Sequence, residues 1–272
     1  MTFRILPHEL IVIAVLVAGG IGVSEAADNP KQLKTSCDKG NARACGSLGF
    51  AYAQGNGVSQ DDHQSAMLFR KACEGGDAPG CHHLARMYVR GTGVLQDDVQ
   101  AAALFRKACD GGYIPSCAPL GAMYITGRGV KLDNFQAAAF FRKACEGGEV
   151  PGCSHLALMY AQGTGVAQDD IEAAILFRKA CDGGDAPSCS RLGSMYMAGR
   201  GVKQDDFQAV ALYRKTCDGG EALGCIGLAT MYRIGRGVRQ DESEALKYFG
   251  RACDLKSKVG CDAYAQLKTG KQ

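Results

Sequence analysis

The sequence predicts an all-α fold, a right-handed solenoid of paired helices, and three observations carry that expectation. Cys37, Cys73, Cys109, Cys145, Cys181, Cys217 and Cys253 each stand 36 residues from the next. Each has a companion eight residues on, at Cys45, Cys81, Cys117, Cys153, Cys189, Cys225 and Cys261, so all fourteen cysteines are used. Between them apolar residues recur at helical spacing, and glycines punctuate the chain at fixed places.

The first element is a leader. Arg4 supplies a thin positive region, "LIVIAVLVAGGIGV" fills residues 10–23, and "SEA" at 24–26 sets small residues at both cleavage positions. This apolar run of 14 residues is shorter than the roughly 20 that span a bilayer. The expectation is a signal peptide over 1–26, cleaved after Ala26, with no membrane anchor left in the mature chain. The protein is then periplasmic or secreted, in an oxidising compartment. Residues 27–272 form one solenoid domain. Six full units run from 42 to 257, after a partial unit and before a shortened one, "KVGCDAYAQLKTGKQ".

Each unit predicts two helices. Residues 78–113, "APGCHHLARMYVRGTGVLQDDVQAAALFRKACDGGY", serve as the example. The first helix, around 79–90, puts Leu84, Met87 and Tyr88 on one face and stops at Gly91, a natural left-handed terminator. "GTGV" turns the chain, and Asp97 or Asp98 caps the second helix, with Gln100 in a capping-box-like position. That helix carries Ala101, Leu104, Phe105 and Ala108 inward before Gly111 and Gly112 end it. Such a pair cannot bury its apolar faces alone and must stack on its neighbours.

Composition agrees. Hydrophobic residues make up 46% and charged ones 22%, which argues against general disorder. With no Trp, 7% aromatics and 37 glycines, the core must pack through close backbone approach. The net charge of +3 is weak, and basic residues alternate with acidic ones, so nucleic acid is not an expected partner.

The pattern "LxxMYxxGxGVxxDxxxAxxxFRKAC" resembles the Sel-one-like repeat family, relatives of the tetratricopeptide solenoids. The cysteine pair in each unit is similar to the Helicobacter cysteine-rich branch of that family. The resemblance covers nearly the whole mature chain. Residues 27–41 lack a full unit, and Gly250 stands where earlier units have Arg.

Zinc would need thiolates converging in fours, usually from closer spacing, and the histidines follow no matching period. A C-x-x-C redox motif is absent. Disulfides fit an exported chain. Cys81 can meet Cys73 across the turn or Cys109 across the helix pair, but the second choice leaves Cys37 and Cys261 alone. The short pairing, Cys37–Cys45, Cys73–Cys81, Cys109–Cys117, Cys145–Cys153, Cys181–Cys189, Cys217–Cys225 and Cys253–Cys261, uses every thiol. No cofactor or metal is expected.

The branch resemblance implies penicillin binding or β-lactamase activity, and hence β-lactams as ligands, but no catalytic motif supports it. "SCDK" at 36–39 and "KTG" at 268–270 match two serine β-lactamase motifs, yet the third is missing and they lie at opposite ends of the array. For a zinc enzyme the mature chain offers only His63, His82, His83 and His155, without an H-x-H pair. His82 and His83 read as surface residues. The Arg-Lys pairs, from Arg70/Lys71 to Arg214/Lys215, read as surface cations that pair with acids or lie along the helices.

Positions that vary while the frame repeats are candidates for recognition. Phe50, Arg86, Val89, Ile125, Leu158, Ser194, Met197 and Arg233 fall on one stripe of the first helices, the side that lines the concave groove in related solenoids. The expected function is an exported, disulfide-stapled scaffold that binds a protein, a peptide or a peptidoglycan fragment there.

Overall fold

A computed structural model describes residues 29–270. The expected signal peptide therefore lies outside the described residues. The described chain is helical throughout apart from its turns. A short α1 (Pro30–Asp38) is followed by first helices α2 (Ala42–Gln54), α4 (Ala78–Arg90), α6 (Cys117–Thr126), α8 (Val150–Gln162), α10 (Ala186–Ala198), α12 (Ala222–Ile234) and α14 (Lys258–Thr269). Second helices α3 (Asp62–Glu74), α5 (Asp98–Asp110), α7 (Asn134–Glu146), α9 (Asp170–Asp182), α11 (Asp206–Asp218) and α13 (Glu242–Asp254) alternate with them.

Each second helix starts on an aspartate. Asp97 accepts hydrogen bonds from the N–H groups of Val99 and Gln100 at 2.9 and 3.0 Å, which satisfies donors the helix leaves open. The adjacent Asp98 does a different job. Its carboxylate takes both prongs of Arg128, from the next unit, at 2.7 and 3.3 Å. Asp170 with Arg200 and Asp206 with Arg236 repeat that fork. The arginine beside Asp170 and the one beside Asp206 hold those carboxyls below the usual carboxylate range.

The two glycines of each loop have separate reasons. Gly127 ends α6 in the left-handed region at φ 69°. Gly129, at φ 65°, lies so close to the Asp98 carbonyl that any Cβ would overlap it. The same overlap awaits at Gly93, Gly165, Gly201 and Gly237, always against the first residue of the preceding second helix. These contacts set the spacing between units, as the composition implied.

Seven disulfides close the turns from each second helix to the next first helix, in the short pairing, with Cα–Cα distances of 4.4–5.0 Å. No cysteine is free. By chain-entropy reasoning each short loop contributes about 2.5 kcal/mol. Around the bridges the core is small-residue packing: Ala72, Ala108, Ala144, Ala180 and Ala252 have no exposed surface.

The cations at the ends of the second helices mostly stay exposed, and several of them also bond to neighbouring elements of the stack. Lys107 donates to the carbonyl of Cys73 at 2.8 Å, and Lys179 to that of Cys145 at 2.7 Å. Each thus puts positive charge on the C-terminal end of the second helix one unit back, where the helix dipole favours it. The arginines before them bond tyrosine hydroxyls of the following first helix: Arg70 to Tyr88 at 2.7 Å, Arg142 to Tyr160 at 2.8 Å. The expectation of acidic partners holds only for Lys71 with Asp38 and Lys143 with Asp110.

Four of the six successive pairs of first helices touch, α2 with α4, α6 with α8, α10 with α12 and α12 with α14. The second helices make no comparably extensive mutual contact. Closer spacing on one side curves a stack toward that side, so the first helices line the inner face.

Candidate functional site

The predicted stripe divides when its surroundings are added. Ile125 and Leu158 pack partly against the core, as does Met197. Ser194 is tied to its own scaffold, with its hydroxyl 2.9 Å from the Tyr213 hydroxyl and 3.2 Å from the Ser190 carbonyl. Arg233 is exposed near the end of α12. Phe50 borders a cavity of about 760 Å³ between α1, α2 and α4, with Phe69 and His83 beside it.

Arg86 and Val89 come together in a cavity of about 550 Å³ between α4 and α6. Its apolar floor is Val89, Phe105, Ala122 and Met123, and Arg86, Arg90 and Arg128 stand around it. Among the described residues Arg86 and Arg90 form no ion pair, whereas Arg128 is forked onto Asp98.

A local departure from the repeat opens this cavity. Elsewhere the residue before the first helix is Asn, Asp, Glu or Ser: Asp77 accepts from Gly80 at 2.8 Å and Asp185 from Ser188 at 2.9 Å, although Glu149 and Glu221 make no such bond. Here it is Tyr113, which caps nothing. Ile114–Ser116 forms one 3₁₀ turn, and α6 is 10 residues long where its counterparts have 12 or 13. Pro115 and Pro119 then line the opening.

His82 shows what the sequence reading missed. It is not a surface residue: it is 7% exposed, its Nδ1 lies 2.9 Å from Ser116 Oγ, and its ring meets Phe105 and Tyr113. Burial, with smaller contributions from neighbouring His83 and Arg86, lowers its pKa to about 4. His83 is half-buried and stacks on Phe69 at 5.0 Å, and burial lowers its pKa too. Their signal was present only in the large aromatic and the serine that fall beside them, one of them 34 residues away.

The catalytic parts stay apart. Ser36 and Lys39 sit at the end of α1, next to bridged Cys37, while residues 268–270 close α14 at the other end of the array. Among the described residues no three His, Cys, Asp or Glu side chains gather as a metal-ligand set. Chemically, the cavity offers an apolar floor beside two guanidiniums that form no ion pair among the described residues, a set that suits an apolar side chain next to an anion.

The Sel1 repeat model matches residues 42–77, 78–113, 115–149, 150–185, 186–221 and 222–257. The chain belongs to the Sel1 repeat family. Among solved structures, this Sel1-repeat protein is similar to c5321, described as a protective antigen present in uropathogenic Escherichia coli strains and displaying an SLR fold. The identity is 35% and the TM-score 0.81, over 89% of this chain and 52% of that one. This chain thus spans about half the length of that relative. A Sel1 repeat protein from Oxalobacter formigenes shares the fold, at 22% identity and TM-score 0.69 over 82% of this chain and 91% of that one. Helicobacter pylori cysteine rich protein B is 33% identical over 49% of this chain and 96% of that one, with a TM-score of 0.39. No curated protein matches.

Proposed function

We propose that this disulfide-stabilised Sel1-repeat scaffold is exported and binds an extended peptide along its inner face, anchored between α4 and α6. The ligand carries a carboxylate beside an apolar side chain. One observation carries the reading: the apolar cavity bordered by Arg86 and Arg90, two guanidiniums without an acidic partner among the described residues. A bidentate carboxylate fits such groups better than any neutral ligand does. Free peptides and the stem peptides of a cell wall both present that chemistry.

Fourteen bridged cysteines support export, since a reducing compartment would open them. The E. coli relative is described as a protective antigen, which suits an exposed location. Among the described residues no helix is long and apolar enough to cross a membrane.

Labelled peptides ending in an apolar residue, with free or amidated carboxylates, test the reading by fluorescence polarisation alongside muropeptides. Binding that requires the free carboxylate is expected. Equal binding of acid and amide, or none of either, would overturn the reading; the muropeptide arm separates the two sources.

A further inference from the structure

The outer face carries a feature that binding on the inner face does not use. The second residue after the capping aspartate is Val99, Phe135, Ile171 or Phe207 in four consecutive units. These are 63%, 77%, 63% and 76% exposed. Large apolar side chains seldom stand in register on a surface without a partner. The ladder ends in polar residues at both sides, His63 in the unit before and Ser243 in the unit after, each exposed.

The rungs alternate, because the chain repeats every two units as well as every one. Aromatic Phe135 and Phe207 belong to loops with Lys131 and Lys203. Branched Val99 and Ile171 belong to loops with Leu95 and Ala167 at the lysine position. In residues 127–136 Arg128 is forked onto Asp98, which leaves Lys131 beside the capping Asp133. In residues 163–172 Asp170 is forked by Arg200, which leaves Glu172 beside the capping Asp169 and no basic residue.

A two-fold axis between Phe135 and Ile171 exploits both alternations. It sets Phe135 against Ile171 of a second copy and Phe207 against Val99 of that copy, an aromatic facing a branched aliphatic at every rung. It also sets Lys131, before α7, toward the start of α9 with Glu172, and never lysine against lysine. We infer that the ladder is the interface of a two-fold homodimer of this protein. Such an interface uses one patch on both copies and must be self-complementary, which this alternation supplies. The inference does not depend on the inner-face ligand.

Sedimentation velocity on the oxidised protein, with anionic and neutral vesicles tested separately by flotation, decides the matter. The wild-type protein sediments as a dimer. Phe135→Lys and Ile171→Glu each weaken the dimer by roughly a hundred-fold, because symmetry places every substitution in the interface twice. Both side chains are exposed, so unchanged circular-dichroism melts show that the variants fold. Mixing the two variants restores a dimer, since Lys at 135 then faces Glu at 171 while the other central pair stays native. A monomeric wild-type protein overturns the inference, and its flotation with vesicles would assign the ladder to a lipid surface instead. Either variant dimerising like the wild-type protein, or a mixture that stays monomeric, overturns it as well.

Discussion

The space between α4 and α6 and the space between α8 and α10 lie 72 residues apart on one frame, yet they have become different surfaces. Both keep the cap-proximal serine, Ser116 or Ser188, fully buried, and both keep an aromatic floor residue, Phe105 or Phe177. At the first place the partner of the serine is His82; at the second it is Ser154, 3.2 Å from Ser188 Oγ. Arg86 and Arg90 are answered by Leu158 and Gln162, and Tyr113 by the capping Asp185. The comparison separates the load shared by every unit from the chemistry particular to one. Caps, glycines and bridges are shared; cations and the cavity are not.

The largest effect is expected where the two places are alike. Gly129→Ala and Gly201→Ala each force a Cβ into a neighbouring backbone carbonyl at positive φ. Each should cost about 3 kcal/mol or more in urea unfolding. A cost below about 1 kcal/mol at either would break the claim that these glycines set the spacing of units.

A smaller effect separates them. The folded-state pKa of His82 is about 4, below its ordinary value of 6.5. Its contribution is therefore complete above pH 6.5 and is lost as pH falls toward 4, because the unfolded chain takes up the proton first. About 2 kcal/mol should disappear over that window. His82→Ser, which copies Ser154, should remove that part of the pH dependence; an unchanged profile would contradict the buried, neutral imidazole.

Exchanging the cations comes next. Arg86→Leu with Arg90→Gln makes the first place resemble the second, and should weaken an acidic peptide about ten- to a hundred-fold, or 1.4–2.8 kcal/mol. Stability should stay within about 0.5 kcal/mol, since both side chains are exposed. The smallest effect belongs to the tyrosine ladder: Arg142→Lys should cost under about 1 kcal/mol, as an exposed hydrogen bond does.

The helix pairs were legible because each signal is local: Asp97 two residues before Val99, Gly91 at the end of its helix, cysteines eight apart. The cation ladder was half legible. Lys107 and Arg70 repeat visibly, but their partners, the Cys73 carbonyl and the Tyr88 hydroxyl, are set by stacking and not by sequence neighbours. The stripe of the first helices was legible as a stripe. That only Arg86 and Val89 of the stripe share this cavity goes with the 3₁₀ turn at Ile114–Ser116, which a missing side-chain cap does not explain, since α8 and α12 lack one and start regularly. The two-unit alternation runs through Thr92, Arg128, Thr164 and Arg200 until Arg236 breaks it, and shows once units are compared two apart.

The central claim is that peptide recognition sits between α4 and α6 and not at the corresponding place on the array. Methyl NMR on the oxidised protein, titrated with an apolar-ending peptide acid, tests it directly. Shifts are expected at Val89 and Met123 with none at Ala161 and Met195, which stand 72 residues on. Equal shifts at both places, or shifts at Ala161 and Met195 alone, would contradict it.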